Sequence, residues 1–451
     1  MAAASGGHRG GGLRQQVAGA LDGIRVLDLT RLLPGGFCSL LLADFGAEVL
    51  KVEDMGMGDY VRWSPPYYEG AHESARSALF LALNRNKRSI RLDLKHERGR
   101  EALLRLVREH DVVLESFRPG VLERLGVGYE RMREENPGLV YCAITGYGQQ
   151  GSMRDRSGHD MNYLGLIGLL GLSGASGAEP VQSAGQIADI GGGALMAAFA
   201  IMAALRERDG GAGEPGSGEG QFVDVSMADG SLSWLAMVAG AYFADGVVPR
   251  RGDLMLAGLA ICYRPYECAD GWVTLGALEP KFFQAFCRGV GREDLIAKQF
   301  ERPGSEAHAQ LVEIFKGRTR AQWEQFAQQN DCCLEPVLEL DEALSSELVH
   351  EREMVVEIEQ PGAERKVRSL GVPFKLSRTP GRHDRLPGPA LGEHTEEALL
   401  AAGYSAAEVA ELLAEGAAAG PAPSGAQAPA EAQAASAAQA GAEQPAAGFR
   451  A

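Results

Sequence analysis

From Ile24 onward, short aliphatic runs alternate with stretches whose apolar residues recur at helical spacing, and this alternation constrains the fold more than any other feature. Residues 24–29, 49–52, 112–114 and 139–144 read as buried strands. Between them, 37–45, closed by Gly46, and 100–107 read as helices. Repeated strand–helix–strand units predict an α/β fold with a Rossmann-like large domain and a mainly parallel sheet. The first strand–helix turn, residues 30–36, contains no GxGxxG, so a standard dinucleotide fingerprint is absent.

A chain of 451 residues exceeds the roughly 250 to 300 at which single cores stop growing, so more than one domain is expected. Gly, Glu, Pro and Ser dominate 209–221, which reads as an exposed linker after a large domain at 21–208. Beyond it, 222–227 reads as a strand and 231–241 as a helix. Residues 262–275 read as two strands around Ala269-Asp270-Gly271, and 280–288 and 320–329 as helices. A smaller α+β domain at 222–340 follows, with a return segment at 341–416 that packs on the large domain. Residues 1–20 are Gly-rich and read as a disordered tail. The Ala/Pro/Gln-rich stretch 417–451 has almost no large apolar residue with which to offset the entropy of ordering, and it reads the same way.

A hydrophobic share of 45% and a charged share of 23%, with no unbroken apolar run of about 20 residues at either end, predict a soluble protein with no membrane partner. The net charge of −16 argues against a nucleic-acid surface, and any anionic ligand needs a local basic pocket. The seven cysteines are scattered and form no CxxC pair, so neither a disulfide framework nor a metal site is expected, and a reducing cytoplasm fits.

Three stretches carry chemistry. In Gly158-His159-Asp160-Met161-Asn162-Tyr163, the histidine taken alone suits a helix cap or core position as well as a catalytic one. In Asp189-Ile190-Gly191-Gly192-Gly193, Asp189 reads either as a helix cap or as an acid, base or nucleophile. Three glycines permit close approach to a ligand, with N–H groups that could stabilise an oxyanion. The basic run around Arg85, Lys87 and Arg88, continuing through Leu92, Asp93, Leu94 and Lys95, is a solvated face or a phosphate-binding one. Arg118 leaves the end of a strand, where α/β proteins bind ligands.

Ordered strings along residues 21–416 resemble the class III CoA-transferase family: LDGIRVLDLT at 21–30, LADFGAEV at 42–49, NRNKRS at 84–89, FRPGV at 117–121, GYGQ at 146–149 and GQFVDVS at 220–226. Gly158–Tyr163 resembles the GHDxNY motif of the 2-methylacyl-CoA racemase branch, as do the separation of His159 from Asp189 and the acidic motif Gly276-Ala277-Leu278-Glu279-Pro280. The segment 63–83 is more like that of the transferases, and Glu53-Asp54-Met55-Gly56 stands where many relatives place Arg or Pro.

The resemblance implies an acyl-CoA thioester substrate and catalytic roles for His159, Asp189 and Glu279. It implies coenzyme A contacts from Arg85, Lys87, Arg88, Leu92, Asp93, Leu94, Lys95, Arg118, Gly158, Asp160, Asn162 and Tyr163. No cofactor beyond coenzyme A is implied. It also implies an interlocked homodimer. The activity implied is racemisation at C2 by two-base proton transfer. The alternatives are CoA transfer through an aspartyl anhydride at Asp189 and a non-catalytic CoA-ester binding protein.

Overall fold

A computed structural model describes residues 18–211 and 213–422, and the chain divides into two compact units. One comprises the described residues up to Ile144, Ala194–Asp224 and those from Glu353 onward; the other comprises Thr145–Gly193 and Val225–Arg352.

The first unit is built on a seven-stranded sheet: β1 (Arg25–Asp28), β2 (Glu48–Glu53), β3 (Lys87–Leu92), β4 (Val112–Glu115), β5 (Val140–Thr145), β6 (Phe222–Ser226) and β7 (Ala418–Ala419), in the order β7-β3-β2-β1-β4-β5-β6. β1 to β5 run parallel, as the strand–helix alternation predicts. Helices α1 (Leu32–Asp44) and α2 (Glu97–Val107) return the chain after β1 and β3. Leu27, Ile90, Leu103, Val113 and Tyr141 are buried together in its core. The strand order reverses at β1, which lies between β2 and β4, and the carboxyl ends of strands at such a switch point are where open α/β sheets take ligands. There the Arg31 N–H donates to Ser116 Oγ at 3.3 Å, joining the loops that follow β1 and β4.

The second unit contains a three-stranded antiparallel sheet, Tyr263–Cys268, Gly271–Gly276 and Leu334–Pro336, with helices at Pro280–Gly289, Glu306–Lys316 and Arg320–Gln329. Phe283, Phe286, Phe315 and Trp323 fill its core, and the Trp323 indole N–H donates to the Phe315 carbonyl at 3.0 Å. An α+β domain beginning with a strand at 222–227 was expected here, but that strand is β6 of the seven-stranded sheet.

Residues 145–193, placed with the large domain on sequence grounds, pack instead with residues 225–352. At Gly192 the approach to a following helix is so close that a Cβ would sit 2.2 Å from Ser231 Oγ and 2.5 Å from the Met227 carbonyl oxygen.

The tail expected from residue 417 also needs correction, because Ala418–Ala419 pairs antiparallel with Leu92 and Arg91 and closes one edge of the sheet. Ala417 is buried, its carbonyl accepts from the Asp93 N–H at 2.9 Å, and the Ala422 N–H donates to Leu391 O. Small residues can order here because backbone pairing to a ready-made edge replaces side-chain burial. Residues 1–17 and 423–451 of the expected tails lie outside the described residues.

A third correction concerns the basic run. β3 is flanked by β2 and β7 and largely buried, so Lys87 and Ser89 turn inward rather than forming one charged side with Arg88. Arg85 makes a paired contact with Asp44, Nε to Oδ1 at 3.0 Å and Nη2 to Oδ2 at 2.6 Å, and Asn86 Nδ2 reaches the same carboxylate at 2.8 Å. Lys87 Nζ donates to Asn84 Oδ1 at 2.9 Å and Gly36 O at 3.0 Å, with Asp28 Oδ2 at 3.5 Å. Leu92 belongs to the core and Leu94 packs against it. Asp93 accepts from the Lys95 N–H at 2.9 Å in a turn that leaves Lys95 exposed. Arg88 stays on the surface, 3.5 Å from Glu397. Arg85→Ala is expected to destabilise the fold by about 3 to 5 kcal/mol, because it strands the buried Asp44 carboxylate. Urea unfolding checks this, and a loss below about 1 kcal/mol would return Arg85 to the class of surface charges.

Candidate functional site

Helix α3 (Asp160–Leu166) begins at the Gly158–Tyr163 motif, and the structure gives each of its residues a separate task. Gly158 lacks a Cβ because one would sit 2.7 Å from the Tyr163 ring and 2.9 Å from the Tyr147 hydroxyl. The Tyr163 ring packs edge-on to Tyr147, and its hydroxyl donates to the Gly158 carbonyl. Asn162 Oδ1 accepts the His159 backbone N–H at 3.0 Å, while the Asn162 N–H donates to the His159 carbonyl at 2.8 Å. His159 is therefore fixed through its backbone at the helix start, and the residue itself is exposed.

Asp160 is buried, and one of its oxygens, Oδ1, accepts the N–H groups of both Ala188 (2.6 Å) and Asp189 (3.0 Å). One carboxylate thus ties the segment bearing Asp189 to the helix bearing His159. Asp189 lies in the first turn of the π-helical stretch Ile187–Leu195, which runs into α4 (Met196–Asp209). Partial burial, with the Asp160 charge second, pushes the Asp189 carboxyl up to about 6 against a smaller opposing pull from His159. Burial, with Asp189 next, pushes the Tyr163 phenol up to about 12.

The glycines after Asp189 are closely packed on their Cα sides. A Cβ on Gly191 would lie 2.3 Å from the Trp234 ring and one on Gly193 2.9 Å from Met227 Cγ, so these residues are small for packing.

Glu279 is exposed at the start of Pro280–Gly289, where its carbonyl accepts from the Phe282 N–H at 3.0 Å. Arg118 is exposed in the loop after β4. Among the described residues no cluster of three or more His, Cys, Asp or Glu side chains could hold a metal ion.

Sequence reasoning named Asp160 as a ligand contact and missed its clamp. It also missed Glu115, which ends the apolar string VVLE of β4. Burial pushes this carboxyl up to about 8, although its Oε2 accepts the Phe117 N–H at 2.6 Å. An acid ending an otherwise aliphatic strand was the available signal.

Asp160→Asn keeps an acceptor oxygen for both N–H groups and removes the like charge beside Asp189. The Asp189 pKa is expected to fall, moving the acidic limb of the kcat/KM–pH profile to lower pH. An unmoved limb with activity intact would mean that Asp189 does not set it.

The first unit is a mixed α/β body with a parallel-dominated sheet, and the second carries His159 and Asp189 on segments tied by Asp160. The pattern of CoA-transferase family III matches residues 21–395, and the chain belongs to that family. It is 36% identical over 401 residues to alpha-methylacyl-CoA racemase of Homo sapiens, covering 87% of this chain and 96% of the relative. It is 34% identical over 409 residues to succinyl-CoA:mesaconate CoA-transferase of Haloarcula hispanica, covering 85% and 97%. Among solved structures, a CAIB/BAIF family protein from Brucella suis superposes with a TM-score of 0.72 at 31% identity, covering 85% of this chain and 100% of that one. The chain is thus an enzyme of the acyl-CoA racemase or family III CoA-transferase kind.

Proposed function

We propose that the protein racemises a 2-methylacyl-CoA at C2. The carrying observation is that Asp160 ties the Asp189 segment to the helix start that presents His159, with the Asp189 carboxyl pushed up to about 6. A carboxyl tuned toward neutrality can both hold and release a proton under working conditions, which a two-base exchange needs. One of the pair removes the C2 proton, the electrons pass into the thioester enolate, and the other returns a proton to the opposite face. Coenzyme A enters only as part of the substrate. Incubation of a single enantiomer in deuterated water tests this: deuterium at C2 with the thioester intact supports it, and retention of the C2 proton sinks it.

The second reading is CoA transfer, favoured by the resemblance of segment 63–83 to transferases and by the 34% identity to a succinyl-CoA:mesaconate CoA-transferase. There Asp189 attacks the thioester, expelling coenzyme A and forming a mixed anhydride.

The working form proposed is a homodimer. Trp234, Met237, Phe243 and Val247 stand exposed along one stretch of the second unit, and an apolar surface of this kind calls for a cover. α4 continues an apolar helix of mean hydropathy 1.8 with Phe199 exposed, and a second chain would bury that face as well. Light scattering at the mass of one chain would count against the dimer.

A further inference from the structure

Glu115 is a buried acid that the His159 and Asp189 chemistry does not use. It ends β4, and in the β4–β5 register it stands opposite Ala143 while Val113 stands opposite Tyr141, three residues of the core. Among the described residues no lysine or arginine pairs with it. The polar groups that face it are the Phe117 N–H, which donates to Oε2 at 2.6 Å, the Tyr141 hydroxyl on β5, and the Glu123 carboxylate on the short helix Val121–Arg124. Burial foremost, with the Glu123 charge adding to it, pushes the carboxyl up to about 8, so it is uncharged at neutral pH. A carboxyl without a cation is unfavourable among such neighbours, where a leucine would pack without that loss.

The loop that Glu115 holds runs from Ser116 to Gly120 at the carboxyl end of β4, beside the point where the strand order reverses. It is tethered along its length. Glu115 takes the Phe117 N–H, and Ser116 Oγ takes the Arg31 N–H from the loop after β1. Phe117 packs against the core, Pro119 is buried, and Gly120 turns the chain with φ 80°. Arg118 is the exposed residue of this loop, and its guanidinium has no ion-pair or hydrogen-bond partner among the described residues. A guanidinium left unpaired between two anchored neighbours is preorganised to meet an anion.

We propose that Glu115 is a positioning residue for coenzyme A, an uncharged acid that sets the 116–120 loop so that Arg118 meets a phosphate of the ligand. This rests on the acyl-CoA reading but not on the choice between racemase and transferase.

Calorimetric titration of the full-length protein with coenzyme A tests it. Arg118→Ala should weaken binding roughly tenfold. Glu115→Leu, which fills the space but offers the Phe117 N–H no acceptor, should weaken it roughly fivefold or more with the thermal midpoint near that of the parent. Glu115→Gln keeps the acceptor and should restore the parent affinity. In an Arg118→Ala background, Glu115→Leu should weaken binding less than about twofold further, because the carboxyl acts through that arginine. If Glu115→Leu melts early, Glu115→Met takes its place in the same comparison. Affinity unchanged in the apolar variant, an equal loss with and without Arg118, or no restoration by Glu115→Gln overturns the proposal. A parent protein that does not bind coenzyme A would overturn the acyl-CoA reading and this proposal with it.

Discussion

His159→Ala is expected to slow C2 proton exchange by about 10² to 10⁴-fold, the usual cost of removing a positioned acid or base. Little of that loss should come from misfolding. The start of α3 is held by the His159 N–H bonding to Asn162 Oδ1 and by the His159 carbonyl accepting the Asn162 N–H, and neither contact uses the imidazole. The residue is exposed, so its removal opens no cavity. The unfolding midpoint should therefore stay near that of the parent while deuterium uptake at C2 collapses. Substrate affinity should change much less than turnover, since the histidine would act on the transition state rather than on the bound thioester. Near-full exchange in this variant, with the parent's midpoint, would remove the histidine from the chemistry and leave Asp189 as the residue to explain.

The parts of this chain that could be read in advance are those where side-chain pattern and backbone role agree. β4 and β5 are largely aliphatic strings buried on both sides, which hardly fit elsewhere, and β2 keeps that character around a buried Lys51 that Asp59 meets at 2.9 Å. β3 misled because Lys87 and Ser89 are polar yet buried, their charge and hydrogen-bonding needs met by Asp28, Asn84 and Glu53 from neighbouring elements. A run of lysine and arginine does not reveal whether carboxylates lie waiting beneath it. Ala418–Ala419 escaped for the opposite reason, since two alanines carry no β signal and are held by backbone hydrogen bonds to β3. At the site, the motif marked His159 and Asp189, but the link between them runs through Asp160 and two backbone N–H groups, which no side-chain pattern displays. The three glycines signalled close approach correctly, and Met227, Ser231 and Trp234 are what approach them within the chain.

Hydroxylamine added during turnover is expected to leave Asp189 unmodified, and this outcome divides the two reactions the family allows. A racemase needs Asp189 only to exchange a proton, so its carboxylate never becomes acylated and one substrate suffices. A transferase needs the same oxygen to attack the thioester; the resulting anhydride reacts with hydroxylamine to give a hydroxamate, and the kinetics become ping-pong with an acceptor acid required. The environment of Asp189 bears on the choice. Burial and the adjoining Asp160 charge push its carboxyl up to about 6, so as pH falls through that value the group gains its proton and loses its capacity as base or nucleophile. Activity that begins with Asp189 ionised should therefore fall below about pH 6 in either reaction, and the pH limb alone does not separate them. The covalent test does. Asp189→Asn should abolish C2 exchange, to a degree comparable with His159→Ala, because an amide can neither take nor return a proton at this position. A hydroxamate found at Asp189 by mass spectrometry, together with acceptor-dependent transfer of coenzyme A, would replace racemisation by transfer and reduce His159 to a residue that positions the thioester.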